Sequence, residues 1–183
     1  MARLYWIITA AVLAVAVHAA YMLLAPARAF ERNVQRVAGA AGRNAFFVIP
    51  PGEQSRLFPA FPSSDLFGAC AFDVTAEKVA LAAQLPKGLW TLTVYSGAGD
   101  VIYVLNDRQA GADSFTVTFA LAPSLLEMLQ QAGGDDTGGS TGWGVQTAQP
   151  KGIAVLWVPI AEAELRPAWE AILKQSSCKA VGS

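Results

Sequence analysis

Four adjacent polar residues, Asn106 to Gln109, form the densest polar run in the strand-rich part of the sequence. Asn106, Asp107 and Arg108 directly follow a run of apolar residues. At the end of a strand they would offer a carboxylate and a guanidinium to a polar or anionic ligand, because a guanidinium binds anions through paired hydrogen bonds. The alternative is a turn in which Asp107 accepts backbone amide hydrogens and Arg108 pairs locally. We treat the three residues as ligand-binding candidates, although turn chemistry explains them more simply.

Two further residues are ligand-binding candidates, and each has a structural alternative. Asp65, in the run Pro-Ser-Ser-Asp-Leu-Phe-Gly, could be a functional carboxylate, but a turn or a cap at the start of a strand is the simpler interpretation. Trp143 lies in a glycine-rich segment, where it either folds back onto the core or covers a ligand site. For both residues we favour the structural role.

The sequence excludes several classes of enzyme site. The only histidine is His18, so no Ser-His-Asp triad, Cys-His dyad or His-bearing zinc site can form after it. The adjacent carboxylates Asp135 and Asp136 lie in a glycine-rich loop that has neither the phosphate-loop nor the calcium-loop pattern. We therefore expect no catalytic residues, no metal site and no cofactor. The alternative is an enzyme acting on glycan or lipid, which requires a pocket that gathers Asp65 and Asp107.

The composition indicates an apolar chain with almost no net charge. Hydrophobic residues make up 54% of the sequence and charged residues only 15%, which excludes intrinsic disorder and makes a wholly cytosolic surface doubtful. Thirteen basic and fourteen acidic residues leave a net charge of -1. That balance predicts no binding of nucleic acid and no polybasic membrane patch.

The apolar excess is concentrated near the start of the chain. Residues 4–24 carry no formal charge, and as a helix they would be about 31 Å long, close to the thickness of the hydrocarbon core. Nine Leu, Ile and Val residues contribute roughly -3 to -5 kcal/mol towards insertion. We expect the lipid bilayer to be a partner of residues 4–24. The length favours an uncleaved anchor, although small residues at 25, 27 and 29 leave a cleaved signal peptide as an alternative.

Short apolar runs with turns between them predict a β-rich domain. An alternation of apolar and polar residues is clearest in residues 114–121. A hairpin is expected where residues 97–100 separate two apolar runs. The predicted strands are Leu66–Phe72, Lys78–Gln84, Leu89–Tyr95, Val101–Leu105, Ser114–Leu121 and Gly152–Val158.

Helices and loops complete the predicted organisation. Residues 28–42 predict a helical stalk that ends at Gly42, and a short helix should begin at Ser124 with a capping box. Four prolines in Phe46–Pro62 predict a surface loop or edge strand and exclude a helix. The apolar spacing of Leu165, Trp169, Ile172 and Leu173 predicts a C-terminal helix. The fold class is mainly β with helical additions (α+β): a single N-terminal transmembrane helix (1–27), a stalk (28–44) and a β-sandwich-like or rolled-sheet domain (45–183).

The sequence contains two cysteines, Cys70 in a predicted strand and Cys178 after the C-terminal helix. In an exported domain they would pair and tie the final helix onto the sheet. The alternative is two unrelated free thiols.

The order of several short motifs resembles a known bacterial family. Those motifs are Pro62–Phe67, Cys70–Val74, Leu85–Leu92, Tyr95-Ser96 and Val104–Gln109. Their order resembles domain of unknown function 1254, in its short form with one membrane anchor, over roughly residues 45–121. The resemblance implies an envelope protein with a β-sandwich-like domain, often accompanied by a sibling protein of the related family 1214. It implies no established activity and no catalytic residues.

The orientation in the membrane rests on opposing signals. Arg28, Arg32, Arg36 and Arg43 follow the apolar segment, whereas only Arg3 precedes it, and this count favours a cytoplasmic C-terminus. The cysteine pair, the small residues after the segment and the family resemblance favour export. We therefore expect a single-pass protein of the bacterial inner membrane with its C-terminal domain in the periplasm. Its expected role is non-catalytic binding of a partner or envelope ligand, with a purely structural role as a further alternative.

Overall fold

The computed structural model describes residues 2–123 and 142–182. Helix α1 (Ala2–Ala41) is continuous through the predicted membrane span and the predicted stalk, and Gly42 follows it with a φ of 85°, which suits a glycine after a helix. The most apolar stretch of the helix is not buried against the rest of the protein, and the helix is long and apolar enough to cross a membrane. The short helix predicted from Ser124 and the pair Asp135-Asp136 lie outside the described residues.

In the described part of the chain, nine strands form two sheets. The first sheet is antiparallel, with the order β1-β2-β8-β4-β5. Its strands are β1 (Phe46–Val48), β2 (Leu66–Asp73), β4 (Thr91–Ser96), β5 (Val101–Asn106) and β8 (Lys151–Val158). The second sheet has the order β7-β6-β3-β9, and β6 and β7 are parallel. Its strands are β3 (Lys78–Gln84), β6 (Ser114–Leu121), β7 (Trp143–Thr147) and β9 (Ser177–Val181).

The two sheets share a main core, and the first sheet is also covered on its other face. Alternate residues of β2 and β8 divide between these two environments. Leu66 and Leu156 belong to the main core, whereas Phe67 and Val155 belong to the outer cluster, which we define as Val37, Ile49, Phe67, Ala69, Ile153 and Val155. Because both faces are covered, β2 reads as a continuous apolar run rather than an alternating one.

The disulfide predicted between Cys70 and Cys178 is present. Cys178 lies in β9, so the bridge joins the first sheet to the second rather than tying the C-terminal helix to a sheet. Aromatic pairs also connect the sheets: Phe72 stacks on Phe119 with ring centroids 4.4 Å apart. The predicted mixed α+β class is confirmed.

Within residues 2–123 and 142–182, three short α-helices and one 3-10 helix (Ala163–Leu165) connect the strands. Helix α2 (Pro51–Leu57) overturns the prediction that the proline-rich segment excludes a helix. Pro51 lies in the first turn, where the missing amide hydrogen costs no intrahelical bond. Helix α3 (Asp107–Ala110) follows β5, and α4 (Arg166–Leu173) is the predicted C-terminal helix, with Pro167 in its first turn.

Candidate functional site

Asp65 is a buried structural acceptor. It lies immediately before β2 and is 3% exposed. One carboxylate oxygen accepts from Trp157 Nε1 at 2.8 Å, and the other accepts from the Ile160 amide at 3.3 Å. Arg166 holds the same turn by donating to the backbone oxygens of Ser63, Ser64 and Asp65. The carboxylate therefore fixes the end of β8 and the chain that leaves it, in the manner of a cap.

The run from Asn106 to Gln109 forms a one-turn helix with a capping box. Asn106 Oδ1 accepts from the Gln109 amide at 3.0 Å, and Gln109 Oε1 accepts from the Asn106 amide at 3.1 Å. The prediction of a turn capped by Asp107 named the wrong residue, because Asn106 is the N-cap. Arg108 is exposed on the last turn of this helix.

Asp65 and Asp107 lie at the same end of the first sheet but do not form a pair. Asp65 precedes β2 and Asp107 follows β5, and β8 and β4 lie between those strands. Three strand spacings separate the two ends by about 14 Å. Glycosidase carboxylates are about 5 to 9.5 Å apart. The geometry therefore does not support an enzyme that uses these two residues together.

Trp143 begins β7, where it pairs with Val117 of β6. Its half-buried side chain packs against the main core. The structure thus places Trp143 in the packing role that the sequence favoured.

A cavity of substantial volume lies elsewhere in the described residues, between the C-terminal half of α1 and the first sheet. Its volume is about 700 Å³, which is within the range of small-molecule sites. None of the predicted ligand-binding residues lines it. The lining comes from α1 and the chain after it, from β2, from the turn after β4 and from the start of β8: Glu31, Val34, Gln35, Ala38, Gly39, Gly42, Arg43, Ala71, Phe72, Gly97, Gln149, Pro150, Lys151 and Gly152.

The chain after α1 is fixed beside this cavity by Asp73, the last residue of β2. Arg43 Nη1 donates to Asp73 Oδ2 at 2.7 Å, and Asn44 exchanges hydrogen bonds with the Asp73 backbone. The Thr75 hydroxyl gives the strongest effect in lowering the pKa of Asp73. The Thr75 amide, Lys151 and Arg43 act in the same direction, while burial opposes them. The carboxylate is therefore kept ionised at this edge of the cavity.

Two cationic side chains line the cavity, and only one of them forms an ion pair within the described residues. Arg43 is paired with Asp73, whereas Lys151 forms no ion pair within the described residues. Glu31 and Gln35 are hydrogen bonded to each other along α1. Apolar surface comes from Val34, Ala38 and Ala71, so the site has apolar walls and, in the part of the chain that the structure describes, an unpaired cation, Lys151, in its lining. Sequence reasoning missed it because its residues come from four distant segments.

Comparison with known proteins shows the fold alone. The VPA0106 protein from Vibrio parahaemolyticus has a similar structure, with a TM-score of 0.64 over 88% of this chain at 14% sequence identity. The chain spans 37% of that protein. An uncharacterised protein from Burkholderia cenocepacia gives a TM-score of 0.46 at 12% identity, covering 76% of this chain and 35% of that one. No family model and no curated protein matches the sequence.

Proposed function

We propose that this chain is a membrane-tethered, non-catalytic binding protein of the bacterial envelope, with its ligand in the cavity between α1 and the first sheet. The observation that carries the proposal is the cavity itself, because one wall belongs to the same continuous helix that is apolar enough to span a bilayer. A ligand bound there is held next to the membrane.

The lining favours an amphiphile with one apolar chain and an anionic group. Val34, Ala38 and Ala71 give the cavity an apolar surface against which a hydrocarbon chain can lose water. Lys151 is the lining cation that the described residues leave without an ion pair. An anionic group near Lys151 would gain a charge-assisted hydrogen bond.

We propose that the protein resides in the bacterial inner membrane, with a single span and with the β-sandwich-like domain in the periplasm. The disulfide between Cys70 and Cys178 supports an oxidising compartment. We further propose membership of domain of unknown function 1254, with a sibling protein of family 1214 as a partner. The similar protein from Vibrio parahaemolyticus is much longer than this chain. A second, separate chain would then supply parts that the longer protein carries within one chain.

The test is site-specific photolabelling of the full chain in nanodiscs with a photoreactive laurate. We expect cross-links to the α1 and β8 walls of the cavity, at residues 34–43 and 149–152. Ala38→Leu adds bulk to the cavity and should reduce those cross-links severalfold, because the added carbons occupy the apolar volume. Ala168→Leu, on the exposed face of α4, is the matched control and should leave them unchanged.

A second comparison tests the charge of the ligand. Photoreactive dodecylamine has the same chain and the opposite charge, so it should label the cavity less than laurate does. Lys151→Gln should remove that preference, whereas Lys179→Gln, an equal change of charge on exposed β9, should keep it. Labelling confined to residues 4–24, or cavity labelling that Ala38→Leu leaves intact, would contradict the proposed function.

A further inference from the structure

Three arginines line one face of α1 just beyond its apolar span. Arg28, Arg32 and Arg36 are four residues apart and therefore lie on the same side of the helix, and all three are exposed. We name these three residues the basic stripe. The net charge of -1 does not reveal the basic stripe, because it sums these arginines with acidic residues elsewhere in the chain.

The basic stripe points away from the domain. Phe30 and Val34 of α1 pack against the outer cluster on the first sheet, and Val37 belongs to that cluster. At about 100° per residue, the centre of the stripe lies roughly opposite these three apolar residues. Within residues 2–123 and 142–182, no ion pair involves a stripe arginine. The domain thus buries one side of the helix and leaves the cationic side uncompensated.

The stripe also begins at the level of the lipid headgroups. Arg28 is four residues beyond Leu24, a rise of about 6 Å, and the polar layer of a bilayer is about 5 to 7 Å thick on each side. Arg32 and Arg36 follow in further steps of about 6 Å. Pro26, between the span and the stripe, has no amide hydrogen to donate, so α1 can bend there at lower cost.

We propose that the basic stripe binds the phosphate-bearing headgroups of anionic lipids in the leaflet from which α1 emerges. The stalk half of α1 then leans onto the bilayer with the domain above it. The complementarity is between three adjacent guanidinium groups and lipid phosphates, and each guanidinium can bind a phosphate through two hydrogen bonds. The stripe contacts whichever leaflet α1 emerges from, so the proposed contact does not depend on the side of the membrane on which the domain lies.

The test is native mass spectrometry of the full chain released from micelles containing equal amounts of phosphatidylglycerol and phosphatidylcholine. We expect retained phosphatidylglycerol to exceed phosphatidylcholine by about tenfold, and this excess should fall as salt is raised. The variant R28Q/R32Q/R36Q should bring the ratio close to one. The variant K87Q/K174Q/K179Q removes the same charge from exposed lysines elsewhere and should keep the excess.

Three outcomes would overturn the proposal: equal retention of both lipids by the natural chain, an unchanged ratio in the arginine variant, or an equal loss in the lysine control. The first two include the case in which the stripe binds an acidic protein rather than lipid. Ala38→Leu should leave the ratio unchanged, so a failure of the cavity proposal is distinguishable from a failure here. Circular dichroism of each variant shows whether it is folded before its ratio is interpreted.

Discussion

Asp65 illustrates how a buried carboxylate can serve a fold without serving chemistry. Its two oxygens accept from Trp157 and from the Ile160 amide, and both donors are fixed by the backbone or by packing. In Asp65→Asn, an NH₂ group replaces one of the two carboxylate oxygens and then faces the N–H group that donated to that oxygen. We expect a loss of about 1 to 3 kcal/mol in the free energy of unfolding, because one buried donor is left unsatisfied.

Thermal unfolding of the detergent-solubilised chain measures this loss. Asp113→Asn is the matched control, since Asp113 is exposed and should change the free energy of unfolding by less than about 0.5 kcal/mol. Equal effects of the two substitutions would show that the hydrogen bonds of Asp65 do not contribute to stability.

Asp73 predicts how stability depends on pH. Its pKa lies below the ordinary value of 3.8, chiefly through the Thr75 hydroxyl. A carboxyl group with a lowered pKa in the folded state stabilises the fold above its unfolded pKa, and this contribution is lost as the pH falls through the folded pKa. Melting temperatures from pH 6 to pH 2.5 should therefore decline less steeply below pH 4 in Asp73→Asn than in the natural chain. Parallel curves for the two proteins would contradict this assignment.

Residue types predicted local structure better than they predicted the cavity. Asp65 as a cap and Trp143 as a residue packed against the core follow from ordinary turn and packing chemistry, and the structure places both residues in this way. The N-cap was misplaced by one residue, because Asn106 and Asp107 are about equally good caps and only the backbone decides between them. The cavity residues Gln35 and Lys151 carry no local signal, since tertiary packing alone brings them together.

Elements were predicted well where burial alternates along the strand. The bounds of β3 and β6 match the prediction, because one face of each strand is buried and the other is not. β7 and β9 were missed, since each is five residues long and follows a glycine-rich segment or a helix rather than a turn between two apolar runs. α2 departs from the prediction because a proline breaks a helix only in its interior, and Pro51 lies in the first turn.

The packing of β8 between β2 and β4 depends on Gly152. A Cβ at this position would lie 2.3 Å from the Phe72 ring and 2.4 Å from the Tyr95 carbonyl oxygen. Gly152→Ala must therefore displace the ring or a strand, and we expect a loss of about 1 to 3 kcal/mol in the free energy of unfolding. The same thermal unfolding measurement gives the value.

Gly144→Ala is the matched control for Gly152→Ala. Gly144 lies in β7 and a Cβ there meets no atom within 4 Å, so that substitution should be nearly neutral. A neutral Gly152→Ala would mean that β2, β8 and β4 are spaced more widely than the structure has them.

At the scale of the whole molecule, the disulfide joins the two sheets across 108 residues of sequence. Loop-closure entropy sets an upper limit of roughly 4 to 5 kcal/mol on its contribution. We expect Cys70→Ala/Cys178→Ala to lower the melting temperature substantially, and reduction of the natural chain to lower it by a similar amount. No change on reduction, under conditions in which mass measurement shows both thiols free, would contradict a stabilising role.

Residues 4–24 are the predicted membrane span of α1. Their insertion energy therefore determines how strongly membrane attachment should respond to added charge. Insertion of residues 4–24 is favoured by roughly 3 to 5 kcal/mol, and each arginine near the middle of a span costs about 2.5 to 3.5 kcal/mol. Val12→Arg/Val15→Arg should therefore cancel the insertion energy and move the chain from the membrane to the soluble fraction after carbonate extraction. Val12→Leu/Val15→Leu alters the same positions without charge and should leave the chain in the membrane. If the arginine variant also stays there, residues beyond the span must hold the protein on the bilayer, and R28Q/R32Q/R36Q combined with it would show whether the basic stripe is responsible.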